Sequence, residues 1–221
     1  MKISYGKLRV PVHRIAGDDL LAAEISIEVL GDNFLPAYTE GDNSAVVATD
    51  TMKNFILRES LSYDGTSLEG LLQHLGQRFM TTYPVMESVR MSAKELRFDR
   101  LNARVYSRSG DDYGVATVEP DGTVRGGRHG MLLLKTRGSA FTKFARDEYT
   151  TLPERGDRPL LVRLDADWRY AGDDYVAVAT GDPPRVAGIY CSGRLDRAHL
   201  VERFPAVAPL ERDVEPLRHA A

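Results

Sequence analysis

The segment Thr39-Glu40-Gly41-Asp42-Asn43-Ser44-Ala45-Val46-Val47-Ala48-Thr49-Asp50-Thr51-Met52-Lys53-Asn54 carries the reading of the fold. No general propensity rule asks for such a string. Within it, Asp50-Thr51 supplies cap residues for a short helix from about Met52 to Leu57. On its amino-terminal side, Leu8, Val10 and Val12 alternate with Lys7, Arg9 and Pro11, the period of a strand with one buried face. Ile25, Ile27 and Val29 alternate in the same way with Glu24, Ser26 and Glu28. Between them, Ala16-Gly17-Asp18-Asp19 has turn chemistry, so an antiparallel hairpin is expected. On the carboxyl-terminal side, Ser67 is placed to cap a second helix. Leu68, Leu71, Leu72, Leu75 and Phe79 make one apolar stripe along it, which is core packing, and Pro84 ends it.

Val85, Val89 and Met91 open a strand region, Asn102 to Val118 supplies another, and Asp121-Gly122 is a hairpin turn signal. The first half therefore reads strand, strand, helix, helix, strand, strand. A second round then begins with a strand at Met131 to Thr136. Val162, Leu164, Ala166, Trp168 and Tyr170 alternate with Arg163, Asp165, Asp167 and Arg169 as its second strand. Ala198 to Phe204 reads as a short helix, and the pattern shows no return strand pair. The repeat is one of pattern only.

Hydrophobic residues at 43% and charged residues at 28% over 221 residues describe a soluble globular chain, one large domain or two small ones. A net charge of -3 gives no basic footprint for nucleic acid. Apolar runs such as Met131-Leu132-Leu133-Leu134 are too short to cross a bilayer. Met1 to Lys7 lacks the apolar core of a secretory signal, and Arg218-His219-Ala220-Ala221 is not a peroxisomal address. A cytoplasmic chain is expected, in which the single cysteine, Cys191, is a structural thiol. His13, His74, His129, His199 and His219 form no metal-binding spacing. Phosphate loops, nucleophile elbows and dinucleotide fingerprints are also missing from the sequence.

A second string, Arg146-Asp147-Glu148-Tyr149-Thr150-Thr151-Leu152 followed by Asp157-Arg158, lies further along the chain. The two strings closely resemble, in order, signature segments of the urate oxidase family, whose members oxidise uric acid without a cofactor. The resemblance covers residues 3 to 170. It implies an α+β fold of two tandem T-fold modules, antiparallel sheets with helices on one face. Residues 1–122 would form the first module. Residues 123–221 would form the second, truncated or divergent after about residue 170. It also implies a homotetramer whose sheets close into a tunnel and whose sites are shared between subunits.

The same resemblance assigns roles to residues. Phe141, in Gly138-Ser139-Ala140-Phe141, would stack on the purine, and Arg158 would clamp its carbonyl and ring-nitrogen edge with a planar fork. Leu152 would pack against the ring. Lys7 and Thr49 would form the catalytic pair that relays protons, and the backbone of Asp50 would touch the ring. Thr49 and Asp50 would reach a neighbour's Phe141 and Arg158. Read without the family, Phe141 is a core ring, Arg158 a surface ion pair with Asp157, and Thr49-Asp50 a helix cap. Dioxygen would be the co-substrate, and no cofactor is expected.

Two departures stand beside these matches. Where the family has a Val-Gln step that pairs with urate, the nearest candidate is Val214-Glu215, and Glu215 would set a charged acceptor against an anionic substrate. A late Leu-Pro-Asn-Lys-His segment, with an asparagine near the dioxygen site and a relay histidine, is not in the sequence. Two other readings fit these departures: a non-catalytic or truncated T-fold paralogue, and an enzyme for another purine-like heterocycle.

Overall fold

In the computed structural model, which describes residues 3–16, 19–170 and 186–192, the alternating amino-terminal segments form β1 (Ile3–Ala16) and β2 (Asp19–Gly31). They pair antiparallel from Ile3↔Gly31 to Ala16↔Asp19. One feature of the alternation is overturned. Leu8 is not on the buried face with Val10 and Val12 but is 68% exposed, because the register shifts between Lys7 and Val10. A single turn, α1 (Pro36–Thr39), follows buried Phe34 and was not expected; Pro36 suits a first helical turn. Next come α2 (Thr49–Glu59) and α3 (Leu68–Thr82). The α3 cap is as read: Ser67 Oγ accepts the Gly70 N–H at 3.2 Å. The α2 cap is not, because the helix starts earlier and its cap residue, Ala48, makes no side-chain bond.

Seven more strands follow among the described residues: β3 (Ser88–Glu95), β4 (Phe98–Arg100), β5 (Tyr106–Arg108), β6 (Tyr113–Val118), β7 (Val124–Lys135), β8 (Leu160–Tyr170) and β9 (Val186–Ser192). The Asn102–Val118 region is thus two strands rather than one; β4 and β5 pair only with each other. At Asp121-Gly122 the expected hairpin turn joins β6 to β7. Gly122 takes φ 84°, and Thr123 N–H donates to Asp121 Oδ1 at 2.9 Å. β9 pairs antiparallel with β8, so a return strand does follow the second round. The result is one antiparallel sheet ordered β1-β2-β3-β6-β7-β8-β9, continuous across the hairpin at residue 122.

Both helices lie on one face of this sheet. Val10, Val12, Ile25, Ile27, Val29, Met91 and Ala93 meet Met52, Phe55 and Ile56 of α2 and Leu71, Leu72, Leu75 and Phe79 of α3. Each fully buried large side chain stabilises the fold by about 1.5–3 kcal/mol. The second round is thinner. Among the described residues its separate core is Met131, Leu164 and Ala166, with Leu133 against them, while Leu132, Leu134 and Leu161 are exposed. Residues 198–204, read as a helix, lie outside the described residues. No described helix is long and apolar enough to cross a membrane.

A polar pin ties α3 to β8. The Tyr170 hydroxyl donates to Glu69 Oε1 at 2.8 Å, passing over Gly126 of β7. A Cβ at Gly126 would fall 2.8 Å from that hydroxyl and 3.0 Å from the carboxylate, so any larger residue would have to displace the pin. Burial pushes the Glu69 carboxyl above its ordinary range. A carboxyl raised in the fold binds its proton more tightly there than in the unfolded chain. Its stabilising contribution is full below an unfolded value of about 4.3 and is lost as pH rises through the folded value. Glu69→Gln keeps an acceptor for Tyr170 and removes this titration. Paired thermal melts are expected to show the variant gaining on the unmodified chain as pH rises above about 4. Parallel pH curves would rule Glu69 out as the source.

Candidate active site

The Lys7 group is built on the β1 edge. Lys7 pairs with Ile27, a residue of the buried face, and is itself half-buried. The face it occupies is the one on which α2 packs. Tyr5, two residues before it, accepts the Val47 N–H at 2.9 Å and stands edge-on to Phe34 at 4.7 Å. The loop leading into Thr49 is thereby fixed to the same strand that carries Lys7. Thr49 and Asp50 open α2 and are exposed. The cap reading of Thr49-Asp50 is not what the structure has. Asp50 instead accepts from Lys53 Nζ and from Asn54 Nδ2 at 3.0 Å. Lys53 holds its carboxyl below the usual range, and Lys7 adds to this from across the gap.

Phe141 and Arg158 come together in the long connection from β7 to β8. A two-way backbone bridge sets the loop: Phe141 N–H donates to the Arg155 carbonyl at 2.8 Å, and Arg155 N–H returns to Phe141 at 3.1 Å. Arg158 Cζ then stands 5.3 Å from the Phe141 ring centroid. Asp157 is not its ion-pair partner; it accepts the Ser139 N–H at 3.1 Å. The Arg158 Nε is buried and has no hydrogen-bond partner among the described residues. Phe144, which the sequence reading missed, stacks on Phe141 at 4.8 Å and 13°. Leu152 is 46% exposed nearby in the same loop. Val214 and Glu215 lie outside the described residues.

The Lys7 group sits on the edge strand β1, and the Phe141–Arg158 loop leads into β8, next to last in the same sheet. From β1 to β8 there are five strand spacings, about 24 Å in all. A cleft of about 220 Å3 belongs to neither group; Arg14, Arg97, Glu95, Asp99 and Phe98 line it at the hairpin tip. Among the described residues, no three or more His, Cys, Asp or Glu are placed to hold a metal ion. His129 instead bonds Asp167 at 2.7 Å and meets the Tyr113 ring.

Hairpin strands in sequential order, with two helices laid on one face, define a T-fold protein. The family model described as Uricase matches residues 32–125 and 124–190, and the chain belongs to the uricase family. The likeness therefore runs past Tyr170 and takes in most of β9. A uricase of Haloferax volcanii is 40% identical over 204 residues, covering 81% of this chain and 65% of that protein. The uric acid degradation bifunctional protein PucL of Bacillus subtilis is 35% identical, with 81% and 40% covered. Among solved structures, the uricase from Arthrobacter globiformis aligns with a TM-score of 0.71 at 31% identity, over 82% of this chain and 66% of that one. The uricase from Bacillus fastidious gives 0.69 at 35%, over 78% and 65%. The chain thus spans 65% of the Haloferax protein and 40% of PucL.

Proposed function

We propose that copies of this chain assemble into a homo-oligomer, expected as a tetramer, that oxidises urate with dioxygen and no cofactor. Arg158 carries the reading: a guanidinium set over an aromatic ring, with a buried Nε that lacks an acceptor among the described residues. Such a buried donor calls for a partner, and a planar anion with adjacent carbonyl and ring nitrogen supplies one. Urate would stack on Phe141 and meet the Arg158 guanidinium, with Leu152 at its edge. Lys7, Thr49 and the Asp50 backbone would come from a neighbouring copy, since Lys7 lies on β1 and the Arg158 loop leads into β8, five strands away in the sheet. Val214 and Glu215 remain the candidates for the pair that meets the far edge of urate.

In this reaction the ring gives up two electrons and two protons, and dioxygen takes both as hydrogen peroxide. Water adds to the oxidised ring at C5, giving 5-hydroxyisourate. Lys7 and Thr49 would move the protons, an amine and a hydroxyl held beside the ring. The setting is cytoplasmic purine catabolism.

Incubating the purified chain with urate and dioxygen tests this directly, through loss of urate absorbance and release of peroxide. Binding of a non-reacting urate analogue without turnover would favour a non-catalytic relative. A monodisperse monomer in sedimentation would count against shared sites. Arg158→Ala is expected to weaken analogue binding by about 1.5–3 kcal/mol. Arg158→Lys should restore little, because a point charge cannot replace the fork. Titration calorimetry showing that both variants bind the analogue as tightly as the unmodified chain would move the site elsewhere.

A further inference from the structure

β1 does not pair evenly with β2. Lys7 sits opposite Ile27 and Val10 opposite Ile25, so Leu8 and Arg9 together face the single residue Ser26. The extra residue makes a β-bulge, and Arg9 takes φ 56°, a left-handed backbone that residues other than glycine seldom adopt. Three hydrogen bonds hold it there. Arg9 N–H donates to Ser26 Oγ at 3.0 Å. Its guanidinium donates to both Glu24 oxygens, from Nε at 2.9 Å and from Nη2 at 3.2 Å.

The bulge changes the phase of the strand. Lys7 and Val10 are three residues apart, and in an unbroken strand an odd spacing sends side chains to opposite faces. Here both belong to the face of Ile25 and Ile27, on which α2 packs, while Leu8 turns out. Glu24 and Ser26 alternate with Ile25 and Ile27, so the lock lies on the helix-free face and Lys7 on the other.

We propose that the Arg9 bulge sets Lys7 on the helix-bearing face beside Thr49 and Asp50, which makes Arg9 a positioning residue for the urate reaction. This rests on Lys7 and Thr49 being the proton-moving pair. The backbone conformation at Arg9 does the positioning, and the guanidinium secures it. Glycine at this site adopts the left-handed conformation freely, and a β-branched residue resists it.

The test compares Arg9→Gly with Arg9→Val. The glycine variant is expected to keep kcat within about twofold. In the valine variant kcat falls at least about tenfold with KM little changed, and adding Lys7→Met costs little more. A second readout does not need turnover: acetylation of Lys7 relative to Lys53, followed by mass spectrometry. Relative labelling is expected to rise by about threefold in the valine variant alone, as Lys7 leaves its half-buried place. Should the valine variant fold poorly, Ser26→Ala, which removes only the acceptor of the Arg9 N–H, should move both readouts the same way by a smaller factor. A valine variant that matches the unmodified chain in both readouts overturns the proposal. Equal loss in the glycine variant also overturns it, because the guanidinium would then matter and not the backbone. If the unmodified chain turns over no urate, the proposed reaction fails instead, and the labelling alone decides the role of Arg9.

Discussion

Lys7→Met and Thr49→Ala are each expected to lower kcat for urate by about 10²–10⁴-fold, the range of a positioned proton-transfer group. Binding of a non-reacting analogue should change far less, since neither residue is the stacking ring or the clamp. The two residues come from different elements but share one support. Lys7 lies on β1, and Thr49 follows a loop tied to β1 through Tyr5 and Val47. If they act as a unit, the double variant should cost little more than either single one. Steady-state urate consumption for the three variants decides this. Losses that multiply in the double variant would show two independent tasks, and an unchanged kcat in either single variant would remove that residue from the chemistry.

Phe79→Ala should produce the largest loss of stability, about 3–5 kcal/mol. Phe79 is fully buried on α3 and meets Phe55 of α2 edge-on at 5.3 Å and Tyr83 at 4.8 Å. Its removal leaves a cavity between the two helices and the sheet, which rigid strands cannot close. Domains of this size hold only about 5–15 kcal/mol in total, so the loss is a large share. A urea titration should show a lower midpoint with an unchanged slope. A shift under about 1 kcal/mol would mean that the helices collapse onto the gap.

Strongly periodic segments were legible in the sequence. β8 and the apolar stripe of α3 stand where alternation and helical spacing put them, and Ser67 caps as its chemistry predicts. Local irregularity was not legible. Nothing in Leu8-Arg9-Val10 announces a left-handed arginine, so alternation alone places Leu8 on the wrong face. β9 escaped because Gly188 and small residues blur its alternation, and its partner strand supplies the pairing. For the site, single residues spoke weakly. Arg158 beside Asp157 reads as an ion pair until the fold gives Asp157 to Ser139 and sets the guanidinium over Phe141. Phe144 carried no signal, because its role depends on how one loop folds back.

The placement of Lys7 on β1 and of Arg158 in the loop before β8 has a genetic consequence. Each would serve a different site, in company with a different neighbour. A chain bearing Lys7→Met spoils one site and a chain bearing Arg158→Ala spoils another. When the two assemble about a twofold axis, both lesions fall in the same site and the other is left whole. Unfolded together and refolded at equal amounts, two dead preparations should therefore regain about a quarter of full activity. Two alleles that each abolish the enzyme would complement one another in a single cell.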